Sequence, residues 1–429
     1  MKHMPTTPTD ISRPLPPFDR PAQPHGPRIV RHKALFAAFA LVLAAGCAAS
    51  GGASLAPHGR AASNIAQALP GVSPTPAPAD QAKCDGSGND AGCHVHKNAN
   101  AGVSSTPTSG LSPAQLRSAY GLAPATGAAT PAGPLIAIVD AFEAKTAESD
   151  LSTYRQQYGL PACTTKNGCF TKVIMAGAKI PPGQAKKLNN GTGLTTWADE
   201  IALDLAMASV ACPTCRLMLV EAGGQDLDSL ASAVNMAASF GPAAISNSWG
   251  VIEGGANAAN IDPDAQAAFN HPGIAITAST GDIAGQVQFP ASSPYVTAVG
   301  GTTLSADATT PRGWSETAWS ATSYGCSILF AAPAWQSGSA CSTRSVADVS
   351  MIADYNPGVN VYSSVEGGWV VLGGTSVGAP FVAGLYAAAG DYGAATTGAP
   401  KLYANPSALN TVAGPAGATL GSPNGLGAF

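Results

Sequence analysis

Two short constellations carry residues whose types and spacing suit covalent chemistry. Gly373-Gly374-Thr375-Ser376 runs into Val377–Gly390, a stretch of small and apolar residues with Pro380 in its first turn. Ser376 is therefore expected at a helix N-terminus, against small neighbours that permit close approach. A plain N-cap serine is the commoner role for an isolated Thr-Ser, but the paired glycines and early proline sharpen the pattern. In the segment Trp197–Met207, Glu200 and Asp204 are spaced i, i+4 and so share one helical face. Their neighbours are nearly all apolar, which predicts burial of Asp204, where ionisation is costly. Two such carboxyls can share a proton and act as a base near acidic pH. His271 is the one histidine in the region expected to fold, and it lies in a His-Pro-Gly loop. A serine nucleophile here would have carboxylates as its available bases.

The elements that must position these groups follow from apolar patterning. Leu135–Val139, Arg216–Val220, Ala243–Ser246, Gly273–Ala278 and Tyr295–Val299 read as short buried strands. Helical stretches fall near 143–157, 197–210, 225–239, 262–270 and 377–389. Alternating strands and helices predict an α/β fold, a mostly parallel sheet with helices on both faces. Ser112-Pro113 is a good helix start, so a single large domain is expected over 111–429. Residues 48–110, rich in Ala, Gly, Ser, Pro and Asn, read as a low-complexity tether. His94 and His96 fall in it, where two histidines are more often solvated surface than metal ligands.

Charge and cysteines bound the compartment and the partners. Of 429 residues only 11% are charged, with a formal charge of −4. Residues 1–46 carry six Lys/Arg and two Asp, so the remainder, with fifteen basic and twenty-three acidic groups, has a net charge of −8. That is no footprint for nucleic acid. No run of 18 apolar residues predicts a span. Arg28, Arg31 and Lys33 precede the apolar run Ala34–Ala45, so residues 1–47 read as an export signal. Its ending, Leu43-Ala44-Ala45-Gly46-Cys47, resembles a bacterial lipobox, with Cys47 lipidated and the protein held at the cell envelope; the alternative is an ordinary secretion signal and a secreted protein. A lipid anchor is the one membrane contact expected, and a monomer is the expected state. Setting Cys47 aside leaves an even number of cysteines, as in an oxidising compartment. The simplest pairing is local, namely Cys84 with Cys93, Cys163 with Cys169, Cys212 with Cys215 and Cys326 with Cys341. No second CxxC accompanies Cys212 and Cys215, and no metal site is expected.

Gly-Thr-Ser-x-x-x-Pro, as Gly374 through Pro380, is similar to the nucleophile signature of subtilisin-like peptidases. Together with Glu200-x-x-x-Asp204 it resembles the sedolisin family, the serine-carboxyl peptidases with a subtilisin-like fold. Thr280-Gly281-Asp282 is similar to the family's Ser-Gly-Asp strand end. The resemblance implies a serine-type endopeptidase with Ser376 as nucleophile, Glu200 as base, Asp204 as its orienting partner and Asp282 as oxyanion donor. Ser248-Trp249-Gly250 resembles the family's substrate-groove strand, which pairs with an extended peptide, so peptides or proteins are the implied substrates. A silent peptide-binding lipoprotein and a subtilisin-type peptidase are the alternatives. Asp140 and Asp348 are read as structural. The family's folded propeptide is not matched here. Nor is its calcium site, because the stretches Thr411–Gly414 and Gly421–Gly425 lack aspartates, while Ca²⁺ needs six to eight hard oxygens.

Overall fold

The computed structural model describes residues 90–429, except 128, 131, 179–193, 255–260, 338, 340, 391, 395, 396 and 416, with only the backbone of 194–196. The readings of residues 1–47, of Cys47 and of Cys84 lie outside the described residues. Residues 90–110 correct the tether reading, because they are woven into the domain. Gly92–Cys93 (β1) and His96–Lys97 (β2) form ladders with distant strands, and Leu111 bridges to Val359. Composition gave no warning, since ladder bonds use backbone groups that every non-proline residue carries. Helix α1 (Pro113–Ala119) starts as its sequence predicts: Ser112 and Gln115 form a reciprocal capping box with Pro113 in the first turn.

The central sheet is built from short apolar runs: β3 (Leu135–Ala141), β4 (Phe170–Ile174), β5 (Arg216–Ala222), β6 (Ala244–Asn247), β8 (Ala275–Ser279) and β10 (Thr297–Ala306). Between β6 and β8 lies β7 (Trp249–Ile252), which pairs instead with β1 and with β9 (Gln288–Phe289). The sheet order is β11-β10-β8-β6-β3-β5-β4, where β11 is Trp314–Ala318, and β14 (Val349–Ile352) also pairs with β10. All these pairs are parallel except β10 with β11. Every residue of β3 and β6 is buried, as strands covered on both faces require. A hairpin of β12 (Gly325–Ala331) and β13 (Thr343–Val346), and a sheet of β15 (Val359–Ser363), β16 (Gly368–Gly373) and β2, complete the strands. Sequence patterning did not predict these outer ladders.

Helices α2 (Ala147–Gln157), α3 (Leu194–Ala211), α4 (Leu227–Ser239), α5 (Pro263–Ala267), α6 (Gly378–Ala389) and α7 (Ala399–Ala404) cover the sheet. α3 and α6 pack together over its centre, where a Cβ on Gly384 would meet Ala211 Cβ at 2.5 Å. α6 is almost wholly apolar and α3 largely so, so Glu200 and Asp204 enter the molecule on the back of a hydrophobic interface. Three disulfides join Cys163 to Cys169, Cys212 to Cys215 and Cys326 to Cys341. Cys93 is also disulfide-bonded, to a partner outside the described residues. None of the described helices is long and apolar enough to cross a membrane.

Candidate active site

The strand order reverses at β3, with β6 on one side and β5 on the other, and the carboxyl ends of strands at such a switch are the usual place for a site. Ser376 reaches it from a one-turn 3₁₀ helix, Thr375–Val377, that feeds α6. Gly374, at φ 98°, lets the chain pass: a Cβ there would stand 2.0 Å from the His94 carbonyl oxygen. The Ser376 hydroxyl donates to Glu200 Oε2 at 2.9 Å. One helical turn on, Asp204 Oδ1 accepts from the Ser248 hydroxyl at 2.9 Å. Both carboxyls are wholly buried. Burial, then the charge of the neighbouring acids, pushes both well above the ordinary carboxylate range. Among the described residues Glu200 Oε1 and Asp204 Oδ2 accept from no other donor, so a proton held between the two carboxyls satisfies both.

A third acid joins this pair. Asp140, next to last in β3, has both carboxyl oxygens buried and, among the described residues, unpartnered. Burial followed by the Glu221 charge raises its pKa to about 8. Glu221, at the same level of β5, is raised by burial to about 7 although Lys172 Nζ lies 2.9 Å away. Asp140 is thus part of an acid cluster and has no structural bond from the described residues. Asp348 does have structural bonds, since Arg344 grips both its oxygens at 2.6 Å and the Ala298 amide donates to it at 2.7 Å.

Asp282 stands on the other side of Ser376. Its Oδ1 accepts from the Thr375 amide at 2.9 Å and the Thr375 hydroxyl at 2.7 Å. Its Oδ2 lies 2.8 Å from His96 Nε2. Burial raises this carboxyl, but the His96 and His94 charges and the hydrogen bonds outweigh it, and the net pKa is lowered. The oxyanion-donor role that the resemblance implies needs the opposite shift, since only a protonated carboxyl donates. The correction comes from two histidines that the sequence reading placed on a solvated surface.

Those histidines lie on a strand that fills the groove. Gly92 pairs with Gly250 and Cys93 with Trp249 in antiparallel register. The His94 amide donates to the Ser248 carbonyl at 3.2 Å, and the His94 carbonyl accepts from the Ser376 amide at 3.3 Å. Beyond it His96 and Lys97 pair with Gly373 and Leu372. Residues 92–97 therefore cross Ser376 as an extended peptide, with the carbonyl of the His94–Val95 bond on the Ser376 amide. Ser248, Trp249 and Gly250 are the strand it runs along, with Trp249 fixed by an Nε1 bond to the Val139 carbonyl at 2.9 Å. Sequence reasoning gave no site role to His94, His96, Ser279, Gln288 or Thr375. The nearest signal was the adjacency of Cys93, which is disulfide-bonded.

Thr411–Gly414 and Gly421–Gly425 carry no carboxylate, and several backbone oxygens there accept hydrogen bonds: Asn410 and Ser422 exchange backbone bonds, the Gly421 carbonyl accepts from Ser350 and Thr419, and the Pro423 carbonyl accepts from Asn410.

Comparison with known proteins agrees with this architecture. The chain is 32% identical over 229 residues to kumamolisin from Bacillus sp. (strain MN-32), covering 46% of this chain and 41% of that protein. It is 39% identical over 121 residues to xanthomonalisin from Xanthomonas sp. (strain T-22), covering 24% and 14%. It thus spans less than half the length of either relative. Among solved structures it superposes on a Pseudomonas sedolisin, a serine-carboxyl proteinase complexed with two molecules of pseudo-iodotyrostatin. That match has a TM-score of 0.55 at 23% identity and covers 70% of this chain and 87% of that one. No protein-family model matches the sequence.

Proposed function

We propose that this chain, which belongs to the sedolisin family, is an exported serine-carboxyl endopeptidase that cuts extended peptides with Ser376. One observation carries the reading: the Ser376 hydroxyl bonds to a buried carboxyl pair while its amide bonds to a peptide carbonyl. In the proposed step the Ser376 oxygen attacks a carbonyl held where that of His94 lies. Glu200 takes the hydroxyl proton, and Asp204, sharing a proton with it, holds the pair at a single negative charge. The oxyanion is met by the Ser376 amide and by Asp282, which must be protonated to donate. The carbon–nitrogen bond then breaks, the amine leaves with the proton from Glu200, and water hydrolyses the acyl-enzyme through the same groups.

A serine–histidine reading is disfavoured, since the nearby His94 ring bonds Ser279 and Gln288 instead. The occupied groove favours one second reading, a silent peptide-binding lipoprotein. Three disulfides among the described residues support export, and lipidation of Cys47 is part of the proposal. So are a monomeric state and the lack of any metal or nucleic-acid partner. The test is mass spectrometry of the full chain and of added peptides between pH 3 and 7. The expected result is scission of peptides and of the His94–Val95 bond, both abolished in Ser376→Ala. A wild type that leaves every peptide and its own chain intact would establish the silent binder.

A further inference from the structure

We infer that this groove selects histidine as the residue on the acyl side of the bond it cuts, through Gln288 and Ser279. The inference rests on the peptidase reading and names its substrate class. His94 occupies the position that precedes the bond facing Ser376, and its imidazole enters a closed pocket. Gln288 Oε1 lies 2.9 Å from Nε2, and Ser279 Oγ lies 2.6 Å from Nδ1. The amide oxygen only accepts, so Nε2 carries the ring proton and Nδ1 accepts from the Ser279 hydroxyl. Both ring nitrogens are thus met by polar groups that are themselves buried, Gln288 at 3% exposure and Ser279 at 0%.

The pocket is shaped for a flat ring. A Cβ on Gly250 would stand 3.1 Å from the imidazole Cε1 and 2.8 Å from Gln288 Oε1. A Cβ on Gly281 would stand 2.0 Å from Gln288 Nε2. The two glycines therefore leave a slot for the ring and for the amide that reads it. Burial lowers the pKa of His94, in keeping with a pocket for the neutral ring. An apolar side chain in this slot would leave the Gln288 oxygen and the Ser279 hydroxyl without partners. Sites built around buried polar groups reject ligands that cannot pair with them far more strongly than apolar pockets reject misfits.

The experiment measures kcat/KM of the full chain on peptides that differ only at the residue before the bond: His, Leu, Phe, Lys or Asp. Each lost hydrogen bond is worth about tenfold, so His should exceed Leu by at least about tenfold. Gln288→Leu should cut the His-to-Leu ratio by about tenfold or more. Ser279→Ala, which deletes one hydroxyl, should cut it several-fold and covers the case in which Gln288→Leu does not fold. Turnover without a preference for His, or a ratio unmoved in the folded variants, overturns the pocket and leaves the peptidase reading standing. Failure to cut any peptide overturns both.

Discussion

Asp140 offers a direct measurement of what the acid cluster costs the fold. Its oxygens are buried without partners among the described residues, and its pKa rises from the ordinary 3.8 to about 8. A carboxyl that holds its proton more tightly when folded favours the folded state below its unfolded value. That contribution is lost as pH rises through the folded value. At about 1.4 kcal/mol for each tenfold change in the ionisation constant, the window from pH 4 to pH 8 holds on the order of 5 kcal/mol. Asp140→Asn keeps the shape and removes the titration. At about 2 °C per kcal/mol for a domain of this size, the variant and its parent should melt together near pH 4. By pH 8 they should diverge by roughly 10 °C, with the variant higher. The assay is thermal melting across that range by circular dichroism, in a Ser376→Ala background to prevent self-digestion. A constant offset between the two curves, or a variant that loses ground as pH rises, would refute the argument.

Single substitutions Ser376→Ala, Glu200→Gln and Asp204→Asn should each cost nearly as much kcat as all three together, because relay groups act as one unit. Glu200→Gln retaining most wild-type turnover would exclude it as the base. His96→Gln removes the cation that keeps Asp282 ionised, so scission of the His94–Val95 bond at pH 6 should quicken about tenfold, read by mass spectrometry; an unchanged rate would mean that Asp282 does not gate the oxyanion. Asp282→Ala should lower kcat about 10²–10³-fold, as loss of an oxyanion donor does elsewhere, and wild-type turnover would place it outside that role. Excess EDTA and millimolar Ca²⁺ should give the same melting temperature within a degree or two, and a shift of many degrees would reveal a calcium site elsewhere.

Much of the site was legible because its signals are local. A serine after two glycines at the head of a small-residue helix, and two acids one turn apart on an apolar helix, fix their own geometry through backbone periodicity. The buried strands announced themselves as apolar runs, and Asp282 was found from the strand end that carries it. The groove strand was different. Residues 92–97 are held by backbone pairing to β7 and β16, and His94 meets Ser279 across 185 positions of sequence. No local pattern encodes a ladder between segments so far apart, and a small, polar composition reads as a tether whether or not its amides find partners. Local pattern alone was enough to put Ser376 at the head of α6, and Glu200 and Asp204 on one face of α3. That a histidine-bearing strand of the same chain lies across them emerges only from long-range pairing. Its ring nitrogens fill a polar pocket, and its second imidazole holds Asp282 as an anion, because pairing and charge in a buried groove depend on what distant segments bring into it.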